Sequence, residues 1–519
     1  MAGDWRMDRI INHGAGIYRI TDRSDAAFPP GALWDALNCV YESESDNPEA
    51  MRGATRVGTT AMGGYVTAIF DYDNGTKLCA SCSDGKFYEY TTDWAAAATG
   101  ARKSGNNTTT TTRWHDCMFY GATTAKDLLV VCNGIDAPAK YETSTGWTSL
   151  GGSPPATGNY PTEFMGRLWL ASGDVVYASA PNDCENWTIA LGAKQMVVGR
   201  GIDGNITGMF QHGGAMLVFK RSSVWRIRPT QTFTAADIMC VSDNIGCISN
   251  QTITQCGAEG AIDLVFASEQ GLEMIHSTTT DVGINIQNIS RGVKPIIEMR
   301  NKDTMSISWC LFNIDRRELY FNYPGATKVV PTVGLVANFA RPRSAPRWTR
   351  MDRPNLTCGV IWKEDGTDYV QLAGDTDGRV HRMHVKTATA WSGSPYAGRI
   401  ITPYHVQGAP ERMKEYGYTW LDVQTEADYS VPVKQILMRR GLPSASNVAT
   451  LAVTGVASGW GEGYWGTAVW GGTGYAGERI RPPQVRRGSG ISHIIESTRW
   501  FRLNAEVVAY NYKTDQIAA

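Results

Sequence analysis

Apolar and polar positions along the chain repeat one short unit: an apolar strand, a tight polar or glycine turn, and a second apolar strand. The unit occurs seven times, and successive copies begin 40 to 55 residues apart. The copies span residues 78–90, 128–141, 168–177, 217–227, 264–275, 319–323 and 369–383. A period of about 40 to 50 residues is typical of β-propellers, in which each four-stranded blade buries its faces against neighbouring blades. The pattern predicts an all-β chain with a propeller of six or seven blades, the copy at 319–323 being the weakest.

Blades of this period do not use all 519 residues. We predict an N-terminal arm over residues 1–56, the β-propeller over residues 57–394 and a C-terminal β-sandwich-like platform domain over residues 395–519. In the last region the hairpins give way to longer alternating strands. These strands are predicted over 418–425, 431–438, 448–454 and 500–512.

Three local patterns refine this prediction. Ala32, Leu33, Trp34 and Leu37 lie at roughly helical spacing, which favours a helical turn in an arm that lies on the propeller. Residues 291–301 predict a short helix with its proline near the first turn. Asn74-Gly75 between two apolar segments predicts a hairpin in the first blade.

Composition agrees with short strands and limits the partners. The chain has 55 Gly, 17 Trp and 22 Tyr with 19% charged residues, which suits many tight turns. Lys plus Arg is 49 against 50 Asp plus Glu, so no strong field gathers nucleic acid or an anionic membrane. The first ten residues lack a secretory pattern, and no long apolar run occurs, which predicts a soluble protein made in the cytoplasm. The eleven scattered cysteines are expected to be buried reduced thiols.

The sequence contains no motif that marks a catalytic, cofactor-binding or metal-binding residue, so we predict none. Cys79 and Cys82 lack a second pair at zinc spacing, and residues three apart on a strand face opposite sides. The Asp-rich turns at 71–75 and 375–378 lack the last carboxylate of a calcium loop. Residues 81–88 resemble a degenerate Asp-box turn of sialidase-like blades. The alternative function is therefore a propeller glycosidase or lectin for host surface polysaccharide, and the enzyme needs an arginine cluster and a carboxylate pair in the central channel.

Three further segments have no single interpretation. Residues 95–112 are small and polar and predict an exposed loop. Residues 458–477 alternate Gly with Trp and Tyr, which suits an intersubunit loop, a sugar-stacking surface or a turn packed on its own domain. The arginines between 479 and 502 are partly balanced in charge by two nearby glutamates in the sequence. This composition suits a solvated sheet face or a phosphate or partner contact.

The N-terminal segment resembles the opening of tail nozzle proteins, also called tail tubular protein B, of short-tailed bacteriophages. The resemblance rests on a P-x-G-x-L…N…R-x-G pattern. Here it reads Phe28-Pro29-Pro30-Gly31-Ala32-Leu33, then Asn38, then Arg52-Gly53-Ala54-Thr55-Arg56-Val57-Gly58.

Two later segments carry the same resemblance. One is similar to the most recognisable blade of that family. It comprises Phe164, Arg167-Leu168-Trp169-Leu170-Ala171, Val176-Tyr177, Ser179 and Asn186-Trp187. The other is the Gly/Trp run with the closing alternating strand at 500–512.

The resemblance implies a structural virion protein of the viral tail. Such proteins form a homohexamer of propeller subunits around a channel, below a portal-adaptor ring, with tail fibres or spikes docking nearby. The hexamer retains the genome until infection and then conducts double-stranded DNA without sequence specificity. A propeller scaffold unrelated to viruses is a third hypothesis.

Overall fold

The fold was determined from a computed structural model of the chain. It describes residues 6–10, 13–19, 28–41, 46–98, 104–120, 127–228, 230, 233–234, 237–258, 261–276, 285–340, 346–352, 355–364, 368–388, 390–425, 429–439, 442–453, 475–480 and 487–517.

Seven short strands of the described N-terminal residues precede the first blade. They are β1 (Arg6–Ile10), β2 (Gly16–Ile17), β3 (Ala32–Leu33), β4 (Asp35–Leu37), β5 (Cys39–Tyr41), β6 (Pro48–Ala50) and β7 (Gly53–Val57).

The next three sheets are four-stranded antiparallel blades, each built in chain order. Blade one contains β8 (Val66–Tyr72), β9 (Lys77–Cys82), β10 (Phe87–Tyr90) and β11 (Trp94–Ala96). Blade two contains β12 (His115–Tyr120), β13 (Asp127–Cys132), β14 (Ala139–Glu142) and β15 (Gly146–Ser149). Blade three contains β16 (Asn159–Phe164), β17 (Arg167–Ser172), β18 (Val175–Ala178) and β19 (Lys194–Val197).

Three further blades repeat this arrangement. Blade four contains β20 (Gly208–His212), β21 (Ala215–Phe219), β22 (Val224–Ile227) and β23 (Ile238–Ser242). Blade five contains β24 (Thr254–Ala258), β25 (Ala261–Ala267), β26 (Leu272–Ile275) and β27 (Ile286–Asn288). Blade six contains β28 (Trp309–Asn313), β29 (Glu318–Pro324), β30 (Pro331–Asn338) and β31 (Arg347–Met351).

The seventh blade takes its outer strand from the N-terminal segment. Its first three strands are β32 (Leu356–Glu364), β33 (Asp368–Asp375) and β34 (Val380–Val385), and β7 pairs antiparallel with β34. The first strands of the blades lie side by side, with β32 beside β8, so blade seven contacts blade one and the ring closes. The chain therefore forms a seven-bladed β-propeller. Six of the repeats seen in the sequence supply both middle strands of a blade, and the repeat at 319–323 supplies only β29 of blade six.

Apolar clusters between neighbouring blades hold the propeller together. In β13, Leu129 and Val131 pack against blade one, whereas Leu128 and Val130 pack against blade three. Successive side chains on a strand point to opposite faces, so a strand buried on both sides must be apolar throughout. Each fully buried leucine or valine contributes about 1.5 to 3 kcal/mol of transfer free energy, so these contacts stabilise the packing of each blade on its neighbours.

The C-terminal region is a β-sandwich. Its strands are β35 (Gly398–Ile401), β36 (Arg412–Thr425), β37 (Tyr429–Arg439), β38 (Leu442–Val453), β39 (Tyr475–Ile480), β40 (Arg487–Gly488), β41 (Gly490–Ser497) and β42 (Phe501–Ile517). One sheet has the order β39-β36-β42-β6-β5, with β1 paired to β42 and β40 to β36. It packs on β35, β41 and β37, where Leu421 and Leu503 meet Val433 and Ile495.

The few helices are short. The α-helix α1 (Lys294–Glu298) has Pro295 in its first turn and follows a 3-10 turn over Arg291–Val293, which confirms the predicted helix. Other 3-10 turns cover Ile189–Leu191, Asn250–Thr252 and Lys302–Ile307. Within the described residues, no helix is long and apolar enough to cross a membrane.

One prediction made for the arm is wrong, and one made for a loop holds only in part. The helical spacing of residues 32–37 is realised as strands β3 and β4, because this backbone pairs with strands on both sides and that pairing overrides local propensity. Residues 95–112 are not a wholly exposed loop: the described part includes buried Asn106 and Thr112, and Asn106 donates hydrogen bonds to the carbonyl of Gly85.

Other features fall as predicted or outside the described residues. Asn74 and Gly75 form the turn between β8 and β9 with positive φ at both positions. The predicted boundary between residues 56 and 57 falls inside β7. Residues 458–474 of the Gly/Trp run lie outside the described residues, and residues 475–477 begin β39.

Candidate functional site

Strand β4 joins the propeller to the sandwich. It pairs in parallel with β31, the outer strand of blade six, and antiparallel with β35, the first strand after the propeller. A nine-stranded sheet therefore runs without interruption in the order β28-β29-β30-β31-β4-β35-β41-β37-β38. We call β4 and the residues that fix it the junction: Asp35, Asn38, Arg52, Gly53 and their contacts.

Asp35 is the electrostatic centre of the junction. Its side chain is only 2% exposed, and it accepts hydrogen bonds from the Arg350 guanidinium at 3.1 and 3.2 Å. Arg19 and Arg399 approach the same carboxylate at 3.5 and 3.6 Å. Burial lowers the pKa of Arg19, and the Asp35 charge opposes that effect. Because Arg350 lies on β31 and Arg399 on β35, one carboxylate links the propeller to the sandwich.

Asn38 makes a second link through its amide. Its Nδ2 donates to the carbonyl of Ala397 at 2.9 Å, and its Oδ1 accepts from the backbone N–H of Asp352 at 2.8 Å. The residue has φ of +52°, a left-handed conformation that Asn tolerates better than most residues. In this conformation the amide bonds to Ala397, just before β35, and to Asp352, just after β31.

Arg52 and Gly53 fix the other end of this segment. The Arg52 guanidinium stacks over the Trp500 ring at 4.6 Å, a cation–π contact with the sandwich. A Cβ on Gly53 would lie 2.5 Å from the carbonyl oxygens of both Ala388 and Ala390. Only glycine fits here without a backbone shift. The residues that carry the N-terminal resemblance thus make structural contacts between the two parts of the molecule.

The blade-three residues of the resemblance have similar roles. Arg167 donates to the carbonyls of Ser179 and Gly192 at 2.7 and 2.6 Å. The indole of Trp169 donates to the carbonyl of Phe164. These contacts tie the turn of the first hairpin to the segment that follows the third strand.

The first strands of the blades surround a central cavity of about 480 Å³. Among the described residues that line it are carboxylates at Asp116 and Glu163 and amides at Gln211, Asn250 and Gln251. The Asp116 side chain is exposed to the cavity, yet desolvation by the surrounding blades, and then the charge of Asp71, raise the pKa of its carboxyl to about 7. Burial also raises the pKa of Glu163. No arginine is among these lining residues, so the arginine cluster expected of a sialidase-like channel is not found in the described lining.

Arg113 lies beside this cavity and was not singled out in the sequence. It directly precedes Trp114 and His115, which line the cavity, and its charge acts on Cys358, which also lines it. Arg113 precedes β12 and Asp116 lies in it. The apolar pattern marks neither residue, because first strands that face a polar cavity do not carry continuous apolar runs.

The other residues considered as candidate zinc, calcium or sugar-binding groups make structural contacts. Cys79 and Cys82 pack in different clusters, on blades two and seven. Asp71 and Asp375 accept backbone N–H groups within their own hairpin turns. Asp84 of the Asp-box-like turn accepts from the Lys86 N–H and the Tyr88 hydroxyl. Within the described parts of the chain, no group of three or more His, Cys, Asp or Glu side chains is arranged to hold a metal ion.

The C-terminal arginines do not form one patch in the part of the chain that the structure describes. Arg502 pairs with Glu49 at 2.5 Å, and Arg499 stacks near Tyr429 at 5.4 Å. Arg481 and Arg486 lie outside the described residues.

Comparison with known proteins gives similarity of fold only. No family model matches the chain, and no curated protein matches it. Among solved structures, the extracellular domain of the hybrid two-component system BT4673 from B. thetaiotaomicron is similar over 73% of this chain, with 9% identity and a TM-score of 0.38. This chain spans 45% of that protein's length. YCF48 from Cyanidioschyzon merolae is similar over 64% of this chain and 99% of its own, with 11% identity and a TM-score of 0.36.

Proposed function

We propose that the chain is a structural virion protein, the subunit of a homohexameric tail nozzle of a short-tailed bacteriophage. The observation that carries the proposal is the role of the residues that resemble this family. Asn38, Arg52 and Gly53 hold the propeller, the N-terminal segment and the sandwich in one body. A nozzle subunit needs this mechanical continuity, whereas an enzyme would place its characteristic residues in a cavity.

The proposal puts the DNA channel between subunits. The cavity inside the blades has a volume of about 480 Å³. A DNA duplex, whose major groove alone is about 12 Å wide, does not fit in it. The hexamer continues the channel of the portal-adaptor complex, holds the genome until infection and lets double-stranded DNA pass during ejection.

The charge of the chain suits such a conduit. Forty-nine basic residues balance fifty acidic ones. A strongly basic wall would bind the phosphates through counterion release and hold the DNA in place. A nearly neutral wall lets a polyanion slide.

Assembly tests the proposal. The purified chain, alone and with a portal-adaptor complex, is studied by native mass spectrometry and electron microscopy, and we expect six-fold rings that seat on the adaptor. Replacement of the Trp and Tyr residues within 458–474 by Ser should abolish the ring while circular dichroism stays unchanged. The matched control is Tyr369→Ser, an exposed aromatic on the propeller. A chain that stays monomeric at high concentration and does not bind the adaptor contradicts the proposal.

A propeller glycosidase or lectin is the second candidate, because Asp116 in the central cavity has its pKa raised to about 7. A carboxyl group that holds a proton near neutral pH suits a general acid. Turnover of a glycan panel that is lost in Asp116→Asn would favour the enzyme. Binding without turnover would favour a lectin.

A further inference from the structure

A serine, a histidine and an aspartate form a chain of hydrogen bonds at the edge of blade seven. The Ser392 hydroxyl lies 2.7 Å from Nδ1 of His381, and Nε2 of the same ring lies 2.7 Å from Oδ2 of Asp375. Asp375 ends β33 and His381 lies on β34, across one hairpin turn. Serine nucleophiles are activated in this way: a base takes the hydroxyl proton, and a third group orients the base.

The aspartate determines which nitrogen of the ring is the base. Oδ1 of Asp375 accepts from the backbone N–H groups of Asp377 and Arg379, each at 2.8 Å, which leaves Oδ2 for the ring. Burial raises the pKa of the Asp375 carboxyl, but the hydrogen bonds from His381 and these N–H groups outweigh it and lower the pKa. A carboxylate only accepts, so Nε2 carries the hydrogen and the lone pair of Nδ1 faces the Ser392 hydroxyl. The two nitrogens exchange the positions they have in the Ser-His-Asp triad of serine proteases, and either can act as a base.

The backbone holds Ser392 in a strained turn. Its φ is +45° and that of Gly393 is +93°. The N–H groups of Trp391 and Ser394 donate to each other's carbonyls at 2.8 Å, and the Ser392 N–H donates to the Ala54 carbonyl on β7 at 2.8 Å. Strained residues that the surrounding structure fixes in this way cluster at functional sites, and serine hydrolases present the nucleophile on a strained turn.

All three residues line a cavity that has room for a substrate. The cavity has a volume of about 610 Å³ and lies between blade seven and the junction. Such a volume accommodates a small molecule. The described lining is largely polar and of mixed charge, and includes Arg56, Asn355, Asp377, Arg379 and Trp391. A long hydrocarbon chain would desolvate these groups without bonding to them, so the cavity suits a short acyl group on a polar alcohol.

We propose that Ser392, His381 and Asp375 hydrolyse short-chain carboxylic esters. Oγ of Ser392 attacks the carbonyl carbon while Nδ1 of His381 takes the hydroxyl proton. The bond from the carbonyl carbon to the alcohol oxygen then breaks, the alcohol leaves with the proton from His381, and the acyl group stays on Ser392. Water attacks this acyl group and gives a proton to His381, the carboxylic acid leaves, and Ser392 recovers its proton. Asp375 is a positioning residue, and the activity does not depend on ring assembly or DNA passage.

The first experiment labels the full chain with a fluorophosphonate probe, which reacts covalently with activated serines, and locates the adduct by mass spectrometry. We expect the adduct on Ser392. We also expect faster hydrolysis of p-nitrophenyl acetate than of p-nitrophenyl decanoate, and loss of this activity in Ser392→Ala. The control is Ser144→Ala, because the Ser144 hydroxyl bonds to the Glu142 carboxylate in a turn of blade two; it should react as the native chain does.

Three results of this experiment overturn the proposal. One is a native chain without an adduct on Ser392, a measurement that needs no variant and holds even if Ser392→Ala does not fold. Another is equal acetate hydrolysis by the native chain and Ser392→Ala, which would assign the activity to other groups. Faster hydrolysis of the decanoate overturns the short-chain assignment.

Asp375→Asn separates the positioning role from a structural one. The Asn oxygen still accepts from the Asp377 and Arg379 N–H groups, so the turn and the melting temperature should be preserved. The amide N–H₂ donates to Nε2 of His381, which moves the ring hydrogen to Nδ1 and leaves no acceptor for the Ser392 proton. We expect kcat to fall about ten-thousand-fold, as the same change does in a serine protease triad, with KM unchanged. A native kcat in Asp375→Asn shows that the contact is structural and overturns the proposal.

Discussion

Replacement of Asn38 by Ala tests whether the junction stabilises the whole molecule. The change removes two hydrogen bonds, to the Ala397 carbonyl and from the Asp352 N–H, and leaves both backbone groups without their partner. Each lost bond to a buried group costs about 1 to 1.5 kcal/mol. Alanine at φ of +52° adds about 1 kcal/mol of backbone strain. We therefore expect a loss of about 3 to 4 kcal/mol for Asn38→Ala.

A matched pair of variants separates the two contributions. Asn38→Gly loses the same hydrogen bonds but accepts the left-handed backbone, so it should cost about 1 kcal/mol less. Asn74→Ala carries similar strain, with φ of +51°, at an exposed hairpin turn. It should therefore cost only about 1 kcal/mol.

The assay is differential scanning calorimetry together with hydrogen exchange at the Asp352 amide. We expect faster exchange of that amide in both Asn38 variants and no change in Asn74→Ala. If Asn38→Ala destabilises the chain no more than Asn74→Ala does, the side chain does not link the propeller to the sandwich, and the reasoning on the junction is wrong.

Three further predictions follow from single residues. Gly53→Ala should cost about 1 to 3 kcal/mol through overpacking against two carbonyl oxygens, whereas Gly292→Ala, whose Cβ would meet ordinary contacts beyond 3.4 Å, should change the melting temperature little. Asp116→Asn should stabilise the chain at pH 8 and have little effect below pH 4, because a carboxyl whose folded pKa is raised to about 7 loses stability as the pH rises from 4 to 7. Burial lowers the pKa of His13 from 6.5 to about 4, so the unfolded chain binds more protons at this residue in that window, and the contribution of His13 to stability should fall by about 3 kcal/mol from pH 6.5 to pH 4. Denaturant titrations at both pH values measure this contribution as the difference between the native chain and His13→Phe.

The repeat was readable from the sequence because the middle strands of each blade are buried on both faces. Leu128 to Cys132 are apolar without interruption since alternate residues contact different neighbouring blades. The outer strands and the strands that line the cavity have mixed patterns. The sequence therefore predicted these strands only from the spacing of the repeats, and the weak copy at 319–323 left the count at six or seven blades.

The junction could not be predicted, because its contacts join residues far apart in sequence. Asp35 pairs with Arg350 and Arg399, and Asn38 bonds to Ala397. Apolar periodicity at residues 32–37 suggested a helical turn, since local spacing does not report a partner strand three hundred residues away. The resemblance did mark Asn38, Arg52 and Gly53, but their mechanical role follows only from the pairing of β4 and β7.

The N-terminal segment completes two sheets: that of blade seven, and the sheet that runs from blade six into the sandwich. The propeller and the sandwich therefore depend on each other. Strand β7 supplies the outer strand of blade seven, and β4 completes the sheet between blade six and β35. Neither closure can form until the N-terminal segment meets strands made much later in the chain, so both depend on contacts of high sequence separation. A subunit closed in this way resists bending between its two parts, because hydrogen bonds of one continuous sheet would have to break first. Under the proposed function, this rigidity would keep the shape of the wall segment while DNA passes beside it.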